Sequence, residues 1–250
     1  VALIGEGQQI HVGEETDIDQ WSLGLTDDWQ IHCAPEQAGH FAKAQPNPAF
    51  NLDTALRSHA AKDVQVWVAH LLSGEFEAAA AIMPGLIEQG FDAYFTRNLT
   101  AAKDYCRDRY RHQCDRRYGL LASSRARNLT QHGIPNDYLS TKKLNVGAWY
   151  LDPPDSPLSC CALDAVATEF SSQGLELDLP IVCWGNDLQW RDSAWGTRTR
   201  QKQVHNPLRL RLNSYRVLLT RGRDGLILFI PPELEALIPL MQRSGLRQLA

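Results

Sequence analysis

The sequence predicts an α/β protein built on a mostly parallel sheet with helices on both faces. Three observations predict it. Residues 91–95, 118–122, 180–184 and 226–230 are short, near-continuous apolar runs, the pattern of strands buried on both faces. Between them lie segments whose apolar residues recur at helical spacing. Helix punctuation separates the two kinds of segment: Asn206-Pro207 as a start, and Gly74, Gly133 and Gly222 as stops.

Taken in order, residues 1–4 (VALI) read as a short buried strand, and an acidic, glycine-containing loop follows. Residues 29–33 read as a strand, before a proline-punctuated linker that runs through Pro48. Ala60, Val64, Trp67, Val68 and Leu71 mark a helix over 53–73, and a second helix occupies about 75–89. Then come a strand at 91–95, a helix at 99–111, a strand at 118–122 and a short helix at 124–131 closed by Gly133. Residues 137–157 are polar, rich in turn formers and carry no clear period. Residues 163–168, 180–184 and 226–230 supply the remaining strands. Before the last of them, Asn206 caps a helix whose residues Leu208, Leu212, Tyr215 and Leu219 predict a buried stripe. Arg209, Asn213, Arg216 and Thr220 fall on a different face.

Composition sets outer limits. At 250 residues, 44% hydrophobic and 22% charged, the chain suits one large domain or one domain plus a fragment. It has no apolar run of about eighteen residues and no basic-then-apolar leader, which predicts a soluble, cytoplasmic protein with no membrane partner. Cys33, Cys106, Cys114, Cys160, Cys161 and Cys183 include no C-x-x-C, so reduced thiols and no metal site are expected.

A net charge of −4 conceals two basic blocks. Residues 97–127 hold nine Lys/Arg against three Asp, and residues 198–223 hold eight Lys/Arg and no acid. The first block reads equally as the solvated face of one helix (Lys103, Arg107, Arg111) or as a polyanion surface on which Tyr105, Tyr110 and Tyr118 stack on bases. The acid-free second block favours a phosphate-bearing partner.

Four motifs follow one another along the chain. Residues 3–10 (LIGEGQQI) follow the first strand. Leu52, Leu56, Arg57 and Ser58 open a helix. Residues 168–178 (TEFSSQGLELD) follow another strand, and residues 215–223 (YRVLLTRGR) close a helix. In this order they resemble motifs III, IV, V and VI of superfamily 1 helicases, and the last two resemble the DNA/RNA helicase domain of the Schlafen group 3 type. The resemblance covers nearly the whole chain and implies a RecA-like second lobe over 35–250, preceded by a remnant of a first lobe over 1–34.

The resemblance also implies roles. Gln8 or Gln9 would sense a terminal phosphate or position the attacking water. Arg57 and Arg221 would approach the γ-phosphate, and arginines fixed in this way neutralise charge on a transferring phosphoryl group. Glu176 would accept a hydrogen bond from a ribose, with Gly174 allowing close approach and with Thr220 and Arg223 beside them. Pairing of Glu176 with a neighbouring arginine is the simpler alternative. Ser123, Ser124, Arg125, Arg127 and Thr168 would face DNA or RNA.

The departures are equally informative. The chain has no G-x-x-x-x-G-K-[ST] loop, no Gly-Lys dipeptide and no Asp-Glu pair for magnesium. Phe170 and Gln173 stand where many superfamily 1 proteins carry His and Lys. The expectation is therefore one motor lobe of an ATP-dependent helicase or translocase. ATP with Mg2+ would be held jointly with a missing N-terminal lobe of the same polypeptide, and this chain alone would neither bind ATP tightly nor turn it over. The alternative is a non-catalytic nucleic-acid-binding module on the same fold.

Overall fold

The computed structural model describes residues 9–11, 18–26, 28–51, 60–197, 204 and 206–249. The predicted strand at 1–4, and with it Gln8, Arg57 and the basic run 198–203, lie outside them.

The described helices are α1 (Asp19–Gly24), α2 (Ala61–Ser73), α3 (Phe76–Glu88), α4 (Leu99–Arg109), α5 (Tyr138–Lys142), α6 (Val146–Leu151), α7 (Pro207–Leu219) and α8 (Ile238–Arg243). The strands are β1 (Ile31–Cys33), β2 (Ala44–Pro46), β3 (Asp92–Thr96), β4 (Tyr118–Ala122), β5 (Val166–Thr168), β6 (Leu179–Cys183), β7 (Gln189–Arg191), β8 (Ala194–Gly196), β9 (Gly225–Phe229) and β10 (Arg247–Gln248). Six form one sheet in the order β10-β3-β9-β6-β4-β5. Every pairing in it is parallel, with Tyr94 and Ile181 both opposite Ile227, and Leu120 opposite Ile181.

The interior strands are where the sequence placed them, for the expected reason. All five residues of β4, of β6 and of β9 are buried, so each strand needs apolar side chains on both faces. Helix α4 packs against β3, β6 and β9; α3 contacts β3 and packs on α2 and α8; α2 also packs on α7. Gly74 ends α2 at φ +80°, a left-handed conformation that glycine adopts without steric cost.

Several expectations need correction. The helix expected over 124–131 is a short 3-10 turn, Leu129–His132, closed by Gly133 at φ +75°. The residues ahead of that turn bond elsewhere: Ser124 N–H donates to Glu169, Arg125 N–H to Ser123 Oγ and Arg127 N–H to Asn186 Oδ1. These bonds tie the loop to the segments that follow β5 and β6. The strand expected over 163–168 shrinks to β5, because Leu163 adopts φ +62°. Helix α7 is also more enclosed than its apolar stripe suggests. Leu210, Arg211, Asn213, Ser214, Val217 and Leu218 are buried along with Tyr215 and Leu219, whereas Leu208 and Leu212 are half-buried.

The tyrosines of the first basic block are also internal. Tyr110 stacks on Tyr118 with ring centroids 5.9 Å apart, and both are buried. Tyr105 donates to Asp92. Burial first, then neighbouring groups, pushes all three phenols to raised pKa values, Tyr118 to about 12. The adjacent arginines are paired as well, Arg107 with Asp104, Arg109 with Asp92 and Arg111 with Asp108. Of the aromatic rings considered for base stacking in this block, Tyr110 and Tyr118 are thus core residues, and Tyr105 is half-buried against the core.

The β7–β8 hairpin was not anticipated. It turns through Asp192 and Ser193 at φ +51° and +59° and joins an aromatic cluster. Trp184 lies 5.4 Å from Trp195 and 4.5 Å from Tyr215, and Phe76 meets Trp190 edge-on at 4.9 Å. This cluster ties the segment between β6 and α7 to the α2–α3 corner.

Candidate functional site

The motif residues fall at two opposite edges of the sheet. At the amino edge, Leu177 and Gly222 form a parallel bridge just ahead of β6 and β9. Leu177 N–H donates to Arg221 O, and Arg223 N–H donates to Leu177 O. A Cβ on Gly222 would stand 1.9 Å from Gly225 O, so only glycine fits there. Glu176, Thr220, Gly222 and Arg223 line a small cleft together with Ala61, Val64 and Gln65 of α2. The cleft lies at the starts of β6 and β9 and not at the carboxyl ends of strands, where open parallel sheets generally hold their ligands. The reason is local. The turn 220–224 enters β9, and residues 176–178 enter β6.

Within this edge, Arg223 Nε stands 3.9 Å from Glu176 Oε2, and about half of the Arg223 side chain remains exposed. The pairing considered as the simpler role of Glu176 is therefore present, at the limit of an ion pair. Arg221 is only 2% exposed. Its guanidinium donates to Val217 O at 2.8 Å, Leu175 O at 3.2 Å, Ser172 O at 3.5 Å and Thr220 Oγ1 at 3.2 Å. Arg221 thus holds the turn that carries Gly174 and Glu176 against the end of α7. Gly174 sits in that turn at φ +84° with nothing within 4 Å of an added Cβ. Backbone conformation, rather than crowding by a neighbour, demands glycine there.

Gln9 lies along α7. Asn213 Nδ2 donates to Gln9 O at 3.0 Å and to Gln9 Oε1 at 3.4 Å, and Arg216 Nη1 donates to Asn213 Oδ1 at 2.9 Å. Burial, followed by the charge of Arg209, lowers the pKa of Arg216.

At the carboxyl edge the structure builds a buried charge cluster. Arg211 of α7 is 6% exposed, and its Nη1 lies 3.3 Å from Glu169 Oε1, 3.2 Å from Asp187 Oδ2 and 2.6 Å from Ser123 Oγ. Ser123 Oγ accepts from Arg211 and donates to Asp187 at 2.6 Å. Tyr215 OH donates to the other oxygen of Asp187 and accepts from Gly185 N–H, and burial with Asp187 alongside raises its pKa well above the usual phenol value. Glu169 receives both the N–H and the hydroxyl of Ser124.

Of the five predicted nucleic-acid contacts, this cluster internalises two. Ser123 is fully buried with its hydroxyl committed. Thr168 is 4% exposed, and its N–H donates to Ser171 Oγ. Ser124 is half-buried, and Arg125 and Arg127 are exposed. Arg211, Asp187 and Tyr215 were not singled out for this role. Their partners lie 24 to 88 residues away, and no local spacing announces such pairs.

Behind the same edge, Asn136 is 1% exposed and donates to Ser123 O at 2.8 Å and Ala126 O at 2.7 Å. Asn136→Ala removes the side-chain donor from Ala126 O and leaves Ser123 O with the N–H of Ala126, and a loss of about 1–3 kcal/mol is expected in urea unfolding.

A scan against protein families matches residues 1–232 to the Schlafen group 3 DNA/RNA helicase domain. The chain belongs to that family. A search of curated proteins found no match. The parallel six-stranded sheet flanked by helices is consistent with the RecA-like fold that the motifs implied. Membership in this helicase family indicates a helicase-related function and an interaction with nucleic acid. Among the described residues, no group of three or more His, Cys, Asp or Glu is placed to hold a metal ion. No helix there is long and apolar enough to cross a membrane.

Proposed function

We propose that this helicase domain is the second motor lobe of an ATP-dependent superfamily 1 type helicase or translocase. Residues 35–250 would form the lobe, and residues 1–34 the end of a first one. The observation that carries the reading is the convergence of Glu176, Thr220, Gly222 and Arg223 with α2 in one cleft beside Arg221. Residues more than forty positions apart meet there, and they offer what a nucleotide's sugar and phosphates need. A half-exposed guanidinium offers charge, and a carboxylate offers an acceptor for ribose hydroxyls. The donor set fits part of ATP only. A phosphate cradle and magnesium ligands would come from the complementary lobe of the same polypeptide, which accords with the missing Gly-Lys motif.

In this division of labour Arg221 and Arg57 stabilise charge on the terminal phosphate, Gln8 or Gln9 orients the attacking water, and Glu176 fixes the ribose. Lobe closure would then move the protein along DNA or RNA bound at the carboxyl edge. The purified chain is expected to show no ATP turnover in a coupled phosphate-release assay. Turnover by this chain, abolished by Arg221→Ala, would refute the shared site.

A further inference from the structure

Two thiols take no part at either edge of the sheet. Cys160 and Cys161 are adjacent in the chain, 0% and 3% exposed, with sulfurs 4.0 Å apart. Among the described residues no other two cysteines are in sulfur contact. The pair sits in a 3-10 turn, Cys160–Ala162, that leads into β5. Ser159 opens the turn, donating to Asp152 O at 3.1 Å and accepting from Cys161 N–H at 3.3 Å, and Leu163 closes it at φ +62°. On the inner side it rests against β4, where a Cβ on Gly119 would stand 2.9 Å from Cys160 Cβ. Leu158 ahead of the turn is exposed and Ala162 within it is half-buried, so the chain on either side of the sulfurs reaches solvent.

The two sulfurs are unequal. A proton shared between them, with Cys160 as donor, lowers the pKa of Cys161 and raises that of Cys160; burial opposes the first shift and adds to the second. The thiolate is the nucleophilic form of cysteine. Cys161 is therefore the attacking sulfur, and Cys160 is the resolving thiol, already beside it. The other cysteines lack one or both properties. Burial pushes Cys106 up to about 12 and raises Cys183 further, while Cys33 and the exposed Cys114 have no thiol in contact.

We propose that Cys160 and Cys161 form a reversible oxidation site, closed to a disulfide between adjacent residues by a small peroxide. Burial selects the oxidant, because a water-sized peroxide fits where a bulky disulfide has no approach. The Cys161 thiolate attacks one peroxide oxygen; an S–O bond forms, the O–O bond breaks, and the departing hydroxide takes a proton to become water. The Cys160 sulfur then attacks the Cys161 sulfenic acid, an S–S bond forms, and the hydroxyl leaves as a second water with the Cys160 proton. Two electrons pass from the sulfurs to the peroxide. Closure must bring the sulfurs from 4.0 Å to about 2.05 Å, which draws Cys161 Sγ from Arg116 O, 3.5 Å away, or Cys160 from β4. With no residue between the cysteines, the bond constrains the unfolded chain little, so this displacement is a net loss of stability at the entrance to β5.

The test treats the folded full chain with hydrogen peroxide, alkylates the remaining thiols under denaturing conditions and weighs the peptide that holds both residues. That peptide is expected to lose two hydrogens and to regain them with dithiothreitol, and the urea midpoint of the oxidised chain is expected to fall and to recover on reduction. Cys160→Ser should stop Cys161 at the sulfenic acid, which dimedone traps, whereas Cys161→Ser should leave Cys160 unlabelled. Thiols that persist at 160 and 161 while Cys33 or Cys114 is oxidised would overturn the site, and so would a bond from either residue to Cys106. Equal dimedone labelling of the two variants would overturn Cys161 as the attacking sulfur. An identical urea midpoint for the two redox forms would overturn the coupling to β5. The mass of the unaltered chain decides the matter even if a serine variant fails to fold.

Discussion

Arg211→Met is expected to destabilise the domain by about 3–5 kcal/mol, because it leaves Glu169 and Asp187 buried with no opposite charge. The methionine fills much of the vacated volume, so the loss reports charge rather than a cavity. Two carboxylates face this one guanidinium, and the remaining donors, Ser123, Ser124 and Tyr215, are neutral. The triple variant Arg211→Met, Glu169→Gln, Asp187→Asn should recover much of the stability, since the charges that need Arg211 are then gone. Urea unfolding of the two variants beside the unaltered chain gives the comparison. A cost below about 1 kcal/mol for Arg211→Met alone would mean that water or another cation already serves the carboxylates. The cluster also carries a functional consequence, because the loop bearing Arg125 and Arg127 is anchored through Ser123 and Ser124. Arg211→Met should therefore weaken oligonucleotide binding even under conditions where the variant remains folded.

Arg221→Ala, made in a polypeptide that includes the complementary lobe, is expected to cut ATP hydrolysis about 10³-fold or more and ATP binding far less. An arginine that meets charge only as it spreads over the transferring group contributes little to ground-state binding. The structure adds a condition to this role. Arg221 is nearly enclosed, with its N–H groups on the carbonyls of Val217, Leu175 and Ser172, so contact with a phosphate requires it to exchange some of those acceptors. If Arg221 acts only by holding the 172–175 turn and thereby Glu176, binding and hydrolysis should fall together. Arg221→Lys separates the cases further. Lysine keeps the positive charge but lacks the planar fork that reaches several carbonyls at once. Single-turnover hydrolysis and equilibrium nucleotide binding on the same preparations distinguish the outcomes.

The interior of the fold was legible because its rule is local. A five-residue strand covered on both faces must be apolar throughout, and the runs at 118–122, 180–184 and 226–230 differ from β4, β6 and β9 by no more than one residue at either end. Helix ends marked by Asn206, Gly74 and Gly133 were legible for the same reason. What escaped depends on partners far along the chain. Strand β10 is two polar residues, Arg247 and Gln248, that become a strand only by pairing with Tyr94 and Phe95. Residues 124–128 look like a helix start, yet they run as a loop bonded to Glu169 and Asn186. Arg211 carries a charge on a helix whose other arginines fall away from the predicted apolar stripe, yet it is buried because Asp187 and Glu169 arrive from two other loops. In the candidate cleft, Glu176, Thr220 and Arg223 were readable from motif order. The amino-edge location and the enclosure of Arg221 are properties of how residues 169–178 run back along the sheet.

The outer rows of the sheet are much shorter than the inner ones, two residues in β10 and three in β5 against five in β9, β6 and β4. An open β ribbon is a template on which a stranger's backbone can dock, and the hazard grows with its length. Among the described residues each margin offers a visiting chain only a few amides and carbonyls, and one margin is guarded by the guanidinium of Arg247. A crowded solution of this domain should consequently resist fibril growth from its margins.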